Sequence, residues 1–192
     1  MYSLILDSAT KNLYICLCKD KKVLEEIYIK GQNDHSKNIV SKLDLILKNH
    51  NITSNDLDEI IVGYGPGSYT GVRMAVTVGK MMAVFLNKPL YTISTLKLIS
   101  SNMDGKVLAM IDARRGNSFS SIIDMKTNTC ILKEGMYPNE ELLSKEHDNV
   151  VSGEDFKVNP LYVLENKEKV EVPTLLEPNY LRETEAERNL HD

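Results

Sequence analysis

The order in which the apolar runs change their period narrows the fold more than any other feature. Three short runs come first: Leu4-Ile5-Leu6, residues 13–18 and residues 23–29, separated only by the polar residues 7–12 and the charged turn Lys19-Asp20-Lys21-Lys22. Short apolar runs bounded by turn residues read as strands, and three in succession as an antiparallel meander. Residues 13–18 are apolar without alternation, so burial on both faces is expected for the middle strand. Over residues 36–49 the period lengthens, with Ile39, Val40, Leu43, Ile46 and Leu47 at helical spacing among lysines and asparagines. A strand at 59–64, a long helical stretch ending at Leu86 and a strand at 90–93 follow. Strands grouped first and then alternating with helices predict an α/β chain, a mixed sheet covered by helices.

The second half opens in a similar way. Residues 107–111 and 118–123 flank the turn Asp112-Ala113-Arg114-Arg115-Gly116-Asn117, a hairpin signal, and after Asp124 the pattern thins to Val150-Val151 and residues 161–164. The restart near Lys106 suggests two related lobes, residues 1–102 and a reduced second lobe over residues 103–192. A chain of 192 residues buries about 70% of its unfolded surface. At 42% hydrophobic and 26% charged residues, wholesale disorder is excluded.

A formal net charge of −4 excludes a broad basic field for nucleic acid, so a role near RNA would draw most phosphate contacts from elsewhere. Cys16, Cys18 and Cys130 are an odd set without Cys-x-x-Cys spacing; the first two read as small core residues and no disulfide scaffold is expected. The opening residues Met1-Tyr2-Ser3-Leu4-Ile5-Leu6-Asp7 lack the basic start and cleavage site of a signal peptide, and no apolar run nears the ~20 residues of a membrane span. A cytoplasmic protein with no membrane partner is expected.

Gly65-Pro66-Gly67-Ser68-Tyr69-Thr70-Gly71, between a strand and a helix, is the most informative stretch. Glycine admits close backbone approach, and Ser68 or Thr70 can cap the following helix, whose first N–H groups favour an anion. The spacing of Gly65, Gly67 and Gly71 is one residue too long for a dinucleotide turn, and Gly79-Lys80-Met81 lacks the Walker pattern. A strand-to-helix turn that needs glycine for packing alone remains open beside a ligand or partner role. Along the helix, Arg73, Thr77 and Lys80 fall within roughly 60° of one another. Ala75, Gly79 and Ala83 form a small-residue stripe on another side, with Met74, Met81, Met82 and Phe85 on the flanks. A helix apolar around most of its girth must be covered on two sides. The cover is either this chain alone or, as the favoured reading, a second subunit against one apolar face, where methionines suit an adaptable contact.

Residues 65–74, Gly-Pro-Gly-Ser-Tyr-Thr-Gly-Val-Arg-Met, closely resemble the signature of the TsaB family, also called YeaZ. Other matches follow in order: Leu4-Ile5-Leu6-Asp7-Ser8-Ala9-Thr10, His35-Ser36, Asp112-Ala113-Arg114-Arg115-Gly116 and Pro178-Asn179-Tyr180-Leu181-Arg182. Ser8, Ala9 and Asn117 depart from the family pattern, and the second lobe is shorter. The resemblance implies an actin-like, Hsp70-like (ASKHA) fold of two related α/β lobes. It further implies a non-catalytic subunit of the bacterial assembly that makes N6-threonylcarbamoyladenosine at position 37 of ANN-decoding tRNAs. Such a subunit would pair with a TsaD-like catalytic partner, meet a TsaE-like ATPase through the complex, form a homodimer when alone, and reach tRNA only indirectly. The partner-facing set is then expected to comprise Gly65, Pro66, Gly67, Ser68, Tyr69, Thr70 and Gly71 of the loop. Arg73, Met74, Ala75, Val78, Gly79 and Met82 would join it from the long helix, and Ile39 and Leu43 from the first.

Enzymatic readings find less support. The TsaD relative holds a metal with a His-x-x-x-His pair, and His35, His50, His147 and His191 include no such spacing. No catalytic residue, metal or cofactor is assigned; Asp7 and Asp112 are the weak candidates for positioning a nucleotide, and either carboxylate can equally cap its own turn. Neither Ser68 nor Ser118 has the flanking of a nucleophile elbow. A small-molecule kinase or ATPase of the same architecture, or a peptidase-like protein, stays as the alternative.

Overall fold

The computed structural model describes residues 1–31 and 35–181, with backbone only for 35–37. Expectations on the side chains of His35 and Ser36, and on Arg182 and His191, lie outside the described residues. The three opening runs form β1 (Tyr2–Asp7), β2 (Asn12–Lys19) and β3 (Lys22–Lys30), an antiparallel meander. α1 (His35–Asn49) follows, then β4 (Glu59–Gly63), parallel to β1. α2 (Tyr69–Leu86) leads to β5 (Leu90–Ile93), parallel to β4. Ser68 Oγ accepts the Gly71 N–H at the start of α2, and Asn87 ends the helix in the left-handed region at φ 52°.

β2 shows why its residues lack alternation. Leu13, Ile15 and Leu17 face a core made with α1 and α2 through Ile39, Leu43, Ile46, Ala75 and Ala83. Tyr14, Cys16 and Cys18 face the opposite core, toward a second sheet. The first sheet is therefore a central layer, and both cysteines are buried, free thiols.

α3 (Thr95–Ser100) crosses to that second sheet of β6 (Lys106–Asp112), β7 (Asn117–Asp124), β8 (Thr129–Pro138) and, after α4 (Asn139–Ser144), β9 (Asn149–Ser152). Its order, β8-β7-β6-β9 with β9 parallel to β6, repeats the β3-β2-β1-β4 arrangement of the first sheet. Ile5 and Ile61 of one sheet and Val107, Ala109 and Phe119 of the other close the shared core, together with α3 and with α5 (Pro160–Asn166). α4 covers the far side with Leu142 against Leu108 and Ile122. Residues 161–164, an apolar run in the sequence, are helical because Asn159 Oδ1 accepts the Leu161 and Tyr162 N–H groups and Pro160 opens the first turn.

The chain then returns to the first sheet. β10 (Glu168–Lys169) pairs antiparallel with β5, and residues 173–181 run back over α2. No helix of the described residues is long and apolar enough to cross a membrane.

Candidate functional site

The glycine loop lies directly on the β1–β2 turn. The Ser68 N–H donates to the Ala9 carbonyl at 2.7 Å, and the Ser8 hydroxyl donates to the Gly71 carbonyl at 2.7 Å. A Cβ on Gly67 would overlap the Ala9 carbonyl, and one on Gly71 the Ser8 carbonyl. Close approach is thus required here, toward this chain's own turn. Ser8, Ala9 and Thr10 are all buried under that contact.

Asp7 is part of the same closure. It is fully buried, with Oδ1 accepting the Ala9 N–H at 2.9 Å and Oδ2 accepting the Thr95 hydroxyl at 2.7 Å. Burial pushes its carboxyl above the ordinary range against the pull of those two hydrogen bonds. Asp112 is exposed and its Oδ1 accepts the Arg114 N–H at 2.8 Å, a turn cap. Both weak nucleotide candidates thus also hold backbone of their own turns.

A pH signature follows. The folded chain holds the Asp7 proton more tightly than the unfolded chain. Its stabilising contribution is therefore full below the ordinary carboxylate range and is lost as pH rises through the elevated folded value. Asp7→Asn keeps the Ala9 hydrogen bond and carries no charge. The melting temperature of the variant relative to the parent should climb as pH rises from about 3.5 toward 8, measured by thermal unfolding across that range.

The expected partner-facing set divides by burial. Ser68, Tyr69, Thr70 and Arg73 are exposed; Gly67, Met74, Val78 and Met82 are half-buried. Gly65, Pro66, Gly71, Ala75, Gly79, Ile39 and Leu43 are buried within this chain. The small-residue stripe packs on the first sheet, where a Cβ on Gly79 would run into Val62. Its place in an intermolecular face is corrected accordingly: small residues let α2 sit close to its own sheet, as the packing alternative held. The open side of α2 carries larger groups instead. Phe85 is 80% exposed, Met81 53% and Val84 47%, beside Thr77 and Arg73. Once Ala75, Gly79 and Ala83 are assigned to the sheet, a helical wheel places these residues on the far side, which is the signal that finds them.

The remaining side of α2 is covered by the returning chain. Lys80 Nζ donates to the Leu176 carbonyl at 2.8 Å, and Leu176 packs near Val72 and Val76. The Asn179 N–H donates to the Tyr64 carbonyl at 2.7 Å, and Asn179 Nδ2 donates to Glu134 of β8 at 3.2 Å. Ser94 also donates to Glu134, whose carboxyl is pushed up by burial. Tyr180 stacks on Tyr69 with ring centroids 4.8 Å apart. The family resemblance at residues 178–182 marks part of this strap, but where it docks has no local pattern, since its anchors are pairs more than 40 positions apart.

A family model described as TsaD: tRNA N6-adenosine threonylcarbamoyltransferase matches residues 22–159. The chain belongs to that family. Curated relatives similar to the chain carry the name TsaB. The Bacillus subtilis protein named tRNA threonylcarbamoyladenosine biosynthesis protein TsaB is 30% identical over 146 residues, covering 74% of this chain and 62% of its own length. The Escherichia coli protein of the same name is 29% identical over 124 residues, covering 62% and 53%. The matches thus span between half and two thirds of those relatives. A solved structure of YeaZ from Pseudomonas aeruginosa superposes with a TM-score of 0.76 at 20% identity, covering 94% of this chain and 99% of that one. The fold of two mixed sheets covered by helices, as expected for an actin-like and Hsp70-like chain, is shared with that structure. In this chain the departure at Ser8 keeps a hydroxyl that ties β1 to α2, and Asn117 stitches the β6–β7 turn through its side chain to the Arg115 carbonyl at 3.1 Å.

Proposed function

We propose that this chain is a non-catalytic, TsaB-like subunit of the cytoplasmic assembly that makes N6-threonylcarbamoyladenosine in tRNA. It works by seating a TsaD-like catalytic subunit on the open side of α2. The observation that carries the reading is the run of large apolar groups there, Met81, Val84 and Phe85, on a helix whose other sides are filled by its own sheet and strap. An exposed aromatic amid methionine and valine fits the centre of an interface better than a solvated face. The half-buried Met74 and Val78 extend it along the helix. Alone, the same face would pair two copies; a TsaE-like ATPase would join through the complex, and tRNA would be engaged chiefly by the catalytic partner.

The turn that nucleotide chemistry would use supports the division of labour. Asp7 spends both oxygens inside the chain and the glycine loop rests on Ser8 and Ala9, so the turn serves to hold α2 in place. Phe85→Asp tests the docking face. It should weaken pairing with the TsaD-like subunit at least about 30-fold, the size of a 2 kcal/mol hot spot, with thermal unfolding unchanged. Sedimentation of the mixed proteins reads the pairing; a variant that pairs like the parent refutes the face.

A further inference from the structure

We propose that the tip of the β6–β7 hairpin is a direct phosphate contact to RNA, carried by Arg114 and Arg115; the choice of RNA, and of tRNA as the RNA, rests on the function proposed above. Both arginines are exposed, and they stand next to each other at φ +66° and +55°. Residues with a Cβ seldom occupy that left-handed region, yet here two do so in succession. The turn is tied down around them. Asp112 Oδ1 accepts the Arg114 N–H at 2.8 Å, and the Arg114 carbonyl accepts the Asn117 N–H at 3.1 Å. Asn117 Nδ2 donates to the Arg115 carbonyl, and the Asn139 N–H donates to the Gly116 carbonyl at 2.9 Å. A Cβ on Gly116 would meet nothing within 4 Å, so the tip is open on that side while α4 holds it on the other.

Among the described residues, two adjacent guanidinium groups without a carboxylate partner meet at this tip, where several lysines elsewhere are paired and others are single. Lysines such as Lys11, Lys48, Lys106 and Lys167 each hold a carboxylate within ion-pair distance. Arg114 and Arg115 hold none among the described residues. Asp112, the acid nearest in sequence, is engaged by backbone. Two free guanidinium forks on a fixed turn suit phosphate oxygens, which accept two parallel N–H bonds from each fork. A net charge of −4 makes such a contact focal, a two-residue grip in place of a basic surface. RNA is favoured over an acidic protein because the matching family model is described by action on a tRNA adenosine.

The test is fluorescence anisotropy of an unmodified tRNA transcript with the full chain, alone and with its TsaD-like partner, over a series of salt concentrations. The double variant Arg114→Ala, Arg115→Ala should bind about tenfold more weakly at about 0.1 M salt. Its log K against log salt should be shallower by about 1.4 to 1.8, since each phosphate contributes about 0.7 to 0.9. Arg114→Lys with Arg115→Lys should restore the slope and only part of the affinity, because charge returns without the fork. Unchanged affinity and slope in the alanine variant overturn the proposal. So does intact tRNA binding with lost partner pairing, which makes the tip a protein contact. Pairing is read separately by sedimentation, so a failure of the α2 docking face is distinguishable from a failure of this tip, which the anisotropy of the chain alone decides.

Discussion

Gly71→Val is expected to abolish the native fold. The added Cβ would occupy the space of the Ser8 carbonyl oxygen, and a backbone group cannot swing aside as a flexible side-chain end can. Relief requires the start of α2 to move off the β1–β2 turn. That movement breaks the hydrogen bonds from Ser8 to the Gly71 carbonyl and from the Ser68 N–H to Ala9, and it uncovers Asp7, Ser8 and Ala9. Overpacking alone costs about 1–3 kcal/mol, and a buried network lost with it brings the total to about 4 kcal/mol or more, a large share of the 5–15 kcal/mol that holds a domain. Thr70→Val, one residue earlier on an exposed position, should change stability by no more than about 0.5 kcal/mol. Urea unfolding followed by circular dichroism separates the two. A Gly71→Val chain that melts cooperatively within about 1 kcal/mol of the parent would mean that the glycine leaves room for a ligand and not for the turn.

That contrast shows where local sequence reasoning succeeds and where it stops. Strand and helix order up to Ile93 was legible because each element carries its own period: alternating or continuous apolar runs for β1 to β5, and a 3.6-residue stripe of Ile39, Leu43, Ile46 and Leu47 for α1. β8 was not legible, because Lys133, Glu134 and Gly135 interrupt its apolar pattern and its register against β7 shifts twice. α3 is six residues long, too short for a period to show. At the candidate site the loop's importance was visible in its glycines, while the direction in which those glycines look was not. Only the fold reveals that Gly67 and Gly71 face Ala9 and Ser8, and that the small stripe of α2 faces the sheet. The strap is the extreme case. Its anchors, Lys80 to Leu176 and Asn179 to Glu134, are pairwise contacts across the chain with no local signature.

The strap depends on how the chain reaches it, and Lys167→Met should expose that dependence. Lys167 Nζ pairs with Glu59 where β4 begins; the two side chains are 14% and 6% exposed. Ser3 Oγ donates to the same carboxylate at 2.7 Å, and the ammonium sits 4.4 Å from the Tyr91 ring centroid. Methionine keeps the length and apolar stem of lysine but leaves Glu59 buried with only a hydroxyl donor. Breaking a buried pair from one side costs about 3–5 kcal/mol, whereas replacing both partners by apolar groups is often close to neutral. Glu59→Leu combined with Lys167→Met should therefore recover most of the loss, giving a coupling of about 2 kcal/mol or more in a double-mutant cycle. The effect should be spatially graded. β10 begins at the next residue and the Val170 N–H donates to the Leu90 carbonyl at 2.9 Å, so amide exchange at Val170 should quicken first in the single variant. Exchange at Asn179, whose N–H donates to the Tyr64 carbonyl, should quicken with it if the strap peels as one unit. Protection at Asn179 that survives the loss of the Lys167 pair would show the strap to be anchored at its far end, by Glu134 and the Tyr69–Tyr180 stack.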